Sequence, residues 1–105
     1  MIGNIYHMTL DQLHAFVTVA ETLNMTRAAE RLHLTQPSVS AAIATLENRH
    51  ATRLFDRVGR RLELSEAGQL FLPEARAVLA RAAAAGRALD DLPTLARGSI
   101  RLAAS

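Results

Sequence analysis

The sequence predicts a mainly α domain in which three short helices precede a two-stranded β hairpin and one long helix. Apolar residues recur at steps of three and four in four separate segments, which is the periodicity of amphipathic helices. This period is lost between residues 52 and 64, where short alternating runs flank a glycine. Alanine and leucine are abundant, whereas only one tyrosine and three phenylalanines are present, which favours helices packed through small side chains.

The first helix is predicted to begin at Thr9. Thr9 is followed three residues later by Gln12, which is the pattern of a capping box, and residues 1–7 then lie outside the fold. The apolar positions of this helix fall on one face: Leu10, Leu13, Phe16, Val17, Ala20 and Leu23.

The second helix comes after a break in the pattern at residues 24–25. Thr26 is placed to cap it, and its inward-facing residues are expected to be Ala28, Ala29 and Leu32. Small alanines at these positions allow neighbouring helices to approach closely.

The third helix begins within the uncharged stretch LTQPSVS, residues 34–40. Thr35 is its predicted cap, and Pro37 lies in the first turn, where a missing amide hydrogen costs least. The expected buried stripe is Val39, Ile43 and Leu46. The outward face is small and polar: it contains Pro37, Ala41, Ala44 and Asn48, with Gln36 and Ser40 at its edge.

Residues 52–64 are predicted to form a β hairpin. The runs RLFDR and RLEL alternate and are separated by VGR, whose Gly59 suits a tight turn. The tip of this hairpin is basic, since it carries Arg57, Arg60 and Arg61.

A long fourth helix is predicted over residues 65–92, with Ser65 as its cap. Its apolar residues repeat at spacings of four and three, as in a coiled coil: Phe71, Ala75, Val78, Ala82, Ala85, Leu89 and Leu92. We expect a partner helix, because the domain offers nothing to bury so regular a stripe against. Pro93 and Gly98 are expected to end the helix, and residues 99–105 to begin a strand.

The basic residues are concentrated in the centre of the chain. The net charge is only +2, yet residues 26–61 carry seven arginines against three carboxylates. Arginine is the side chain best suited to forked hydrogen bonds with phosphate and guanine. A basic surface that is merely solvated is the alternative on charge alone.

Several classes of function lack the residues that they need. There is no cysteine, and the four histidines are scattered without ligand spacing, so neither disulfides nor a metal site are expected. We find no nucleophile with a nearby base, and therefore no catalytic residues, no cofactor and no enzyme are predicted. No apolar run approaches the length of a membrane span, and a signal peptide is not evident, so a cytoplasmic protein that does not contact the membrane is expected.

Three short helices before a basic hairpin form the arrangement of a winged helix-turn-helix. In such domains the third helix enters the major groove of DNA, and the wing reaches toward the minor groove. Short donors and acceptors read base edges, whereas cations grip phosphates from the periphery, which explains an uncharged third helix beside a basic wing. Gln36 can bond adenine in a forked manner, Ser38 and Ser40 can bond bases or phosphates, and Thr35 suits a phosphate oxygen.

Structural interpretations of the same residues remain open. Thr35 and Ser38 can simply cap and solvate a helix, and the three wing arginines can be solvated turn residues. A winged helix used for protein contact, with the fourth helix as an assembly device, is the rival function; the basic wing argues against it.

The stretch FVTVAETLNMTRAAERLHLTQPSVSAAIATLE, followed by LFDRVGRRLELSEAG, resembles the N-terminal DNA-binding domain of LysR-type bacterial transcriptional regulators. The resemblance runs without a gap from about residue 8 to residue 92. It implies four parts: an N-terminal extension or alternative start at 1–7, a winged helix-turn-helix at 8–64, a linker and dimerisation helix at 65–92, and at 93–105 a hinge with the first strand of an effector-binding domain.

The resemblance also implies partners. A homodimer formed through the fourth helix would bind double-stranded promoter DNA at an interrupted inverted repeat. In the full-length regulator, the C-terminal domain would sense a small-molecule effector, and a tetramer and a contact with RNA polymerase are compatible with the family.

Family contacts carried over residue by residue give a candidate site. The major-groove contacts fall on Gln36, Pro37, Ser38 and Ser40, the wing contacts on Arg57, Arg60 and the neighbouring Arg61, and the contacts near the backbone on Thr26, Arg27 and Thr35. The dimer interface falls on Phe71, Val78, Ala82, Ala85, Leu89 and Leu92.

The chain departs from the family pattern at two places. Ala41 stands where many members have arginine, which removes one expected DNA contact. His50 and Ala51 stand where leucine and glycine are frequent. If that turn needs a left-handed residue, we expect Ala51 to be strained by about 1 kcal/mol.

Overall fold

The computed structural model describes residues 8–104 of the chain, and the side chains of residues 8–94. Four helices and one two-stranded antiparallel sheet follow one another as α1 Leu10–Thr22, α2 Met25–Leu32, α3 Gln36–Arg49, β1 Phe55–Val58, β2 Arg61–Leu64 and α4 Glu66–Ala104. The predicted mainly α, winged helix-turn-helix architecture is confirmed.

Helix α1 is the centre of the domain, since α2, α3 and α4 all pack against it. The capping box predicted at its start is present: the Gln12 amide donates to Thr9 Oγ1 at 3.1 Å, and the Thr9 amide donates to Gln12 Oε1 at 3.1 Å. Burial extends beyond the predicted stripe, because Ala15 and Thr18 are also enclosed by the surrounding helices. The two ends of that stripe, at residues 10 and 23, are exposed instead.

The predicted cap of α2 is wrong by two residues. Asn24 is the N-cap, and its Oδ1 accepts from the Arg27 amide at 2.9 Å, so Thr26 lies inside the first turn with its side chain exposed. Asparagine and threonine both cap helices well, and the backbone is already extended at Asn24, which selects the earlier residue. The expected inward residues Ala28 and Ala29 are buried.

Helix α3 starts and packs as predicted. Thr35 Oγ1 accepts from the Ser38 amide at 3.2 Å, and Pro37 occupies the first turn. Its buried residues are the predicted stripe Val39, Ile43 and Leu46. The opposite face is therefore free for contact with a ligand.

The turn after α3 uses alanine where the backbone favours glycine. Ala51 has φ 47°, in the left-handed region, and the Thr52 amide donates across it to the Glu47 carbonyl at 3.0 Å. This is a Schellman-type helix end, whose left-handed position is normally glycine. The strain expected at Ala51 required a left-handed backbone at this position, and Ala51 has that conformation.

The hairpin forms as predicted, with Phe55 opposite Leu64 and Val58 opposite Arg61. Gly59 has φ 64° and occupies the two-residue turn. The strand begins in the core, because the Phe55 ring packs on the Phe16 ring with centroids 5.5 Å apart. Leu62 and Leu64 of β2 are partly buried against the core, whereas the tip of the wing extends into solvent.

Helix α4 begins inside the domain. Ser65 caps it as predicted, since its Oγ accepts from the Gly68 amide at 2.9 Å. The Phe71 ring lies 5.0 Å from the Phe16 ring, and Ala75 is fully buried. The first part of the stripe therefore packs on α1 of the same chain, and Phe71, predicted to lie in a dimer interface, stays half-buried there.

The later part of α4 differs from prediction at its end. The helix does not stop at Leu92 but continues through Pro93 to Ala104, so residues 99–104 are helical rather than a strand, and Ser105 lies outside the described residues. A helix satisfies its own backbone hydrogen bonds, whereas a strand here would find no sheet partner in the described part of this chain. Proline removes only one of those bonds. The predicted extension at 1–7 also lies outside the described residues.

Glu21 connects the end of α1 to two other helices. Its carboxylate accepts from Arg31 of α2 at 2.9 Å and from Arg76 of α4 at 3.2 Å. Exposed pairs of this kind contribute about 1 kcal/mol or less to stability.

Within the described part of the chain, no helix is long and apolar enough to cross a membrane.

Candidate nucleic-acid interface

One groove gathers residues from α2, α3 and the wing. It has a volume of about 510 Å³ and is lined by Leu23, Asn24, Met25, Thr26, Gln36, Arg57, Arg60, Arg61 and Leu62. We call it the basic groove. Five of the ten residues predicted to contact DNA lie in it, although they are spread over 36 positions of sequence.

The tip of α3 presents an oriented amide at the edge of the basic groove. Gln36 Nε2 donates to Ser40 Oγ at 3.2 Å, one helical turn further on. This bond uses one amide hydrogen and leaves the second hydrogen and Oε1 of an exposed side chain free. Those two groups can donate to N7 of adenine and accept from its N6, which is the forked contact of glutamine with that base.

The hydroxyl groups at the start of α3 are also ordered. Thr35 Oγ1 donates to Ser38 Oγ at 2.8 Å while it accepts from the Ser38 amide. The Thr35 hydroxyl is thereby committed to capping, whereas the Ser38 hydroxyl hydrogen remains free to donate outward. Ser38 is therefore better placed than Thr35 to bond a base or a phosphate.

The wing supplies positive charge on the other side of the basic groove. Arg57, Arg60 and Arg61 are exposed, and Arg61 pairs with Glu63 at 3.6 Å. Among the side chains of residues 8–94, Arg57 and Arg60 take part in no ion pair. Their guanidinium groups are thus available to an anionic ligand.

The remaining predicted contacts lie outside the lining of the basic groove. Pro37 and Ser38 are exposed on the same turn as Gln36, and Thr35 precedes them as the cap. Ser40 is half-buried, and its hydroxyl oxygen accepts from the Gln36 amide. Arg27 is exposed in the first turn of α2, next to the basic groove but not part of its wall.

Asn24 is a wall residue that sequence reasoning missed. Periodicity marks it only as a break, although asparagine directly before an apolar-periodic segment is a strong capping signal. Its side-chain oxygen accepts from the Arg27 amide, and its side-chain nitrogen has no acceptor among the hydrogen bonds of the described side chains.

Within the described side chains, no cluster of histidines and carboxylates could hold a metal ion.

Comparison with known proteins places this architecture in one family. The model of the bacterial regulatory helix-turn-helix protein, LysR family, matches residues 10–69. An uncharacterized HTH-type transcriptional regulator of Azotobacter vinelandii, from the ibpB-leuC intergenic region, is 48% identical over 98 residues, which cover 93% of this chain and 68% of that protein. The RuBisCO operon transcriptional regulator of Allochromatium vinosum is 39% identical over 97 residues.

The structural comparison agrees. The crystal structure of the CbnR DNA-binding domain in complex with DNA superposes with a TM-score of 0.71 at 39% identity, covering 85% of this chain and 99% of that one. The chain spans 68% of the Azotobacter relative but only 32% of the Allochromatium regulator. These relatives are transcriptional regulators rather than enzymes. The chain belongs to the LysR family of bacterial regulatory helix-turn-helix proteins.

Proposed function

We propose that this chain is a sequence-specific DNA-binding domain that reads promoter DNA with the tip of α3 in the major groove and the wing at the minor groove. The observation that carries the proposal is the basic groove, because it joins an uncharged, hydrogen-bonding helix tip to exposed arginines. An uncharged, hydrogen-bonding helix tip suits base edges, and exposed arginines suit phosphates. The CbnR domain, which has the same fold, is bound to DNA in its crystal structure.

The residues divide the work of binding between them. Gln36, supported by Ser40, reads a base, and Ser38 bonds a base or a phosphate. Arg57 and Arg60 neutralise phosphates beside the minor groove, with Thr26 and Arg27 near the adjacent backbone. Ala41 contributes at most an apolar contact with a thymine methyl group, since its side chain carries no hydrogen-bonding atom.

The test is a salt titration on selected DNA. Duplexes that bind the chain are first selected from a random pool, and their affinity is then measured by fluorescence anisotropy from low to high salt. We expect the logarithm of the association constant to fall linearly with the logarithm of salt, by about 0.9 for each phosphate neutralised. A winged helix that docks only on proteins would show no steep salt dependence, and that outcome would contradict DNA binding.

Dimerisation through α4 is the second part of the proposal. Beyond Ala75 the stripe leaves the domain core: Val78 is 46% exposed, Leu89 66% and Leu92 53%. Ala82 is half-buried and Ala85 exposed on the same face. An apolar seam at spacings of three and four is covered in a coiled-coil pairing, so a second copy of α4 is the fitting occupant. Two reading helices would then meet half-sites about 34 Å apart in successive major grooves.

Sedimentation at tens of micromolar tests the pairing. We expect the unaltered chain to sediment as a dimer and the double variant Val78→Asp, Leu89→Asp as a monomer, because two carboxylates would be buried in the seam. Leu70→Asp is the matched control, since Leu70 is 71% exposed but lies off the seam. A monomeric unaltered chain, or a double variant that still dimerises, would contradict the proposed interface.

For the full-length regulator the proposal extends the family resemblance. An effector-binding domain would follow α4 and sense a small molecule, and its response would change promoter contacts, with a tetramer and a contact with RNA polymerase as further elements. Its place of action would be the cytoplasm, on nucleoid DNA. The greater length of the Allochromatium regulator supports this arrangement.

A further inference from the structure

The carboxylate of Glu47, at the end of α3, binds the segment that leads into the wing. Glu47 lies in the last turn of α3, and its Oε2 accepts from the Leu54 amide at 2.7 Å and from the Phe55 amide at 3.3 Å. Its own carbonyl accepts from the Thr52 amide at 3.0 Å. One residue therefore binds three backbone amides of the segment that connects α3 to β1.

The Leu54 and Phe55 amides are too buried to find water as another hydrogen-bond acceptor if the carboxylate is removed. Leu54 and Phe55 are 7% and 4% exposed, so a backbone donor there that loses its acceptor would be left unsatisfied away from water. Among the described side chains, Glu47 pairs with no arginine or histidine. The carboxylate is thus committed to the backbone rather than to a cation.

The connecting segment leads directly into the strand that carries Arg57. Arg57 is two residues after Phe55 on β1, about 7 Å along the strand. Two other side-chain bonds reach this segment: Thr52 Oγ1 donates to the His50 carbonyl at 2.9 Å within it, and Ser65 Oγ donates to the Arg53 carbonyl at 2.7 Å, which attaches it to α4. Glu47 is thus the side chain of α3 that bonds the wing side of this segment, beside the packing of Leu54 and Phe55 in the core.

We infer that Glu47 is a positioning residue for DNA recognition: its carboxylate holds the start of the wing so that Arg57 and Arg60 reach phosphates while Gln36 reaches a base. The inference rests on the proposed DNA-binding function. Glu47 bonds the connecting segment and does not line the basic groove, so the inference assigns it no DNA contact of its own. Its effect is to couple base reading to phosphate binding through the geometry of one short segment.

The test compares Glu47→Met, which keeps the length of the side chain and removes both acceptors, with Glu47→Gln, which keeps one oxygen for the two amides. Glu30→Met is the matched control, because Glu30 is exposed on α2 and the substitution removes the same charge. All measurements use duplexes selected with the unaltered chain, at a temperature well below the melting temperature of every variant.

We expect Glu47→Met to bind about tenfold more weakly and to lower the salt slope by about 1 to 2, because the wing arginines no longer reach their phosphates together. Glu47→Gln should retain most of the affinity, and Glu30→Met should not lower the slope. In a chain that already carries Arg57→Ala and Arg60→Ala, Glu47→Met should cost less than about twofold, since the groups that it positions are gone.

A purely structural role predicts a different pattern. Glu47→Met would then cost about tenfold in the arginine-free background as well, or it would weaken binding with an unchanged salt slope; either result would overturn the inference. If Glu47→Met does not fold, Glu47→Asp replaces it, because the shorter carboxylate keeps the charge but cannot reach both amides. A loss without flattening of the slope in Glu47→Asp would count against positioning in the same way.

Failure of the proposed function would look different again. The unaltered chain would itself bind selected DNA weakly and without salt dependence. Every result that overturns the inference alone is obtained with an unaltered chain that binds, and a Glu47→Met variant that does not differ from the Glu30→Met control is one such result. Hydrogen exchange at the Leu54 and Phe55 amides adds a readout without DNA. Faster exchange in Glu47→Met than in Glu30→Met is expected, and equal exchange would overturn the inference.

Discussion

The tip of α3 and the tip of the wing border the same groove, yet they are built from opposite chemistries. The α3 tip carries no charged side chain, and its polar groups are oriented by bonds within one helical turn. The wing tip carries three guanidinium groups, one in the two-residue turn and two in the flanking strands, and two of the three have no ion-pair partner among the described side chains. From this difference we expect that, in the proposed DNA complex, selectivity and affinity belong to separate elements and can be altered separately.

The largest effect is expected from removing the wing charge. Arg57→Ala with Arg60→Ala should weaken binding on the order of 100-fold at low salt and lower the salt slope by about 1.8, with the ranking of DNA sequences preserved. Anisotropy titrations over a panel of single-base variants measure both quantities. Arg81→Ala with Arg87→Ala removes the same charge from exposed positions of α4 and is the control. A changed affinity ranking of the DNA sequences would show that the wing arginines also contribute to sequence selectivity.

A smaller and different effect is expected at the α3 tip. Gln36→Ala should lose about tenfold of discrimination at one base pair, because a forked contact is worth about 1–3 kcal/mol, and it should leave the salt slope unchanged. The same base-variant panel measures it. Gln69→Ala is the matched control on α4. Equal loss on every duplex would show that Gln36 does not read a base.

The wing arginines themselves are expected to be unequal. Arg61 is paired with Glu63 at 3.6 Å, so Arg61→Ala should weaken binding by only about threefold, less than Arg60→Ala. In a Glu63→Gln chain, the loss caused by Arg61→Ala should increase, since Arg61 is then released to the DNA. Equal losses for Arg60→Ala and Arg61→Ala in the unaltered chain would contradict a role for the Glu63 pair.

The smallest effect concerns the turn that joins the two elements. Ala51→Gly should raise the free energy of unfolding by about 0.5–1 kcal/mol, because relief of the left-handed strain exceeds the added chain entropy of glycine. DNA affinity should stay within about twofold. Thermal and urea unfolding measure the change, and Ala44→Gly, within α3, should instead destabilise by about 1 kcal/mol. A destabilising Ala51→Gly would mean that the turn carries no strain.

Local signals make much of this fold predictable. The caps at Thr9, Thr35 and Ser65 are predictable because each is set by a side chain and an amide three residues later. The wing is predictable because a change from helical period to alternation around Gly59 is typical of a hairpin. The candidate site depends on the order of these elements and on the resemblance to the LysR family.

The errors lie where a pattern has two physical solutions. Periodicity places Phe71 on an apolar stripe, but it does not distinguish the core of the same chain from a partner helix, and it does not reveal the contact of Phe71 with Phe16. Asn24 and Thr26 are both good caps, and only the backbone conformation selects between them. Pro93 is expected to end α4, yet one lost hydrogen bond is tolerated in a helix of 39 residues. The role of Glu47 depends on the path of the connecting segment, which no local pattern reveals.

The packing of Phe71 on Phe16 and the burial of Ala75 join the first turns of α4 to the rigid core on which α3 also packs. From Ala75 to Ala104 the helix extends about 44 Å at about 1.5 Å per residue. Viewed as a lever with its pivot in the core, it converts a tilt of about 10° at the base into a displacement of about 8 Å at the far end. Conversely, a force on the far end of α4 exerts a torque about the core, which in the proposed complex would change the angle at which α3 meets DNA.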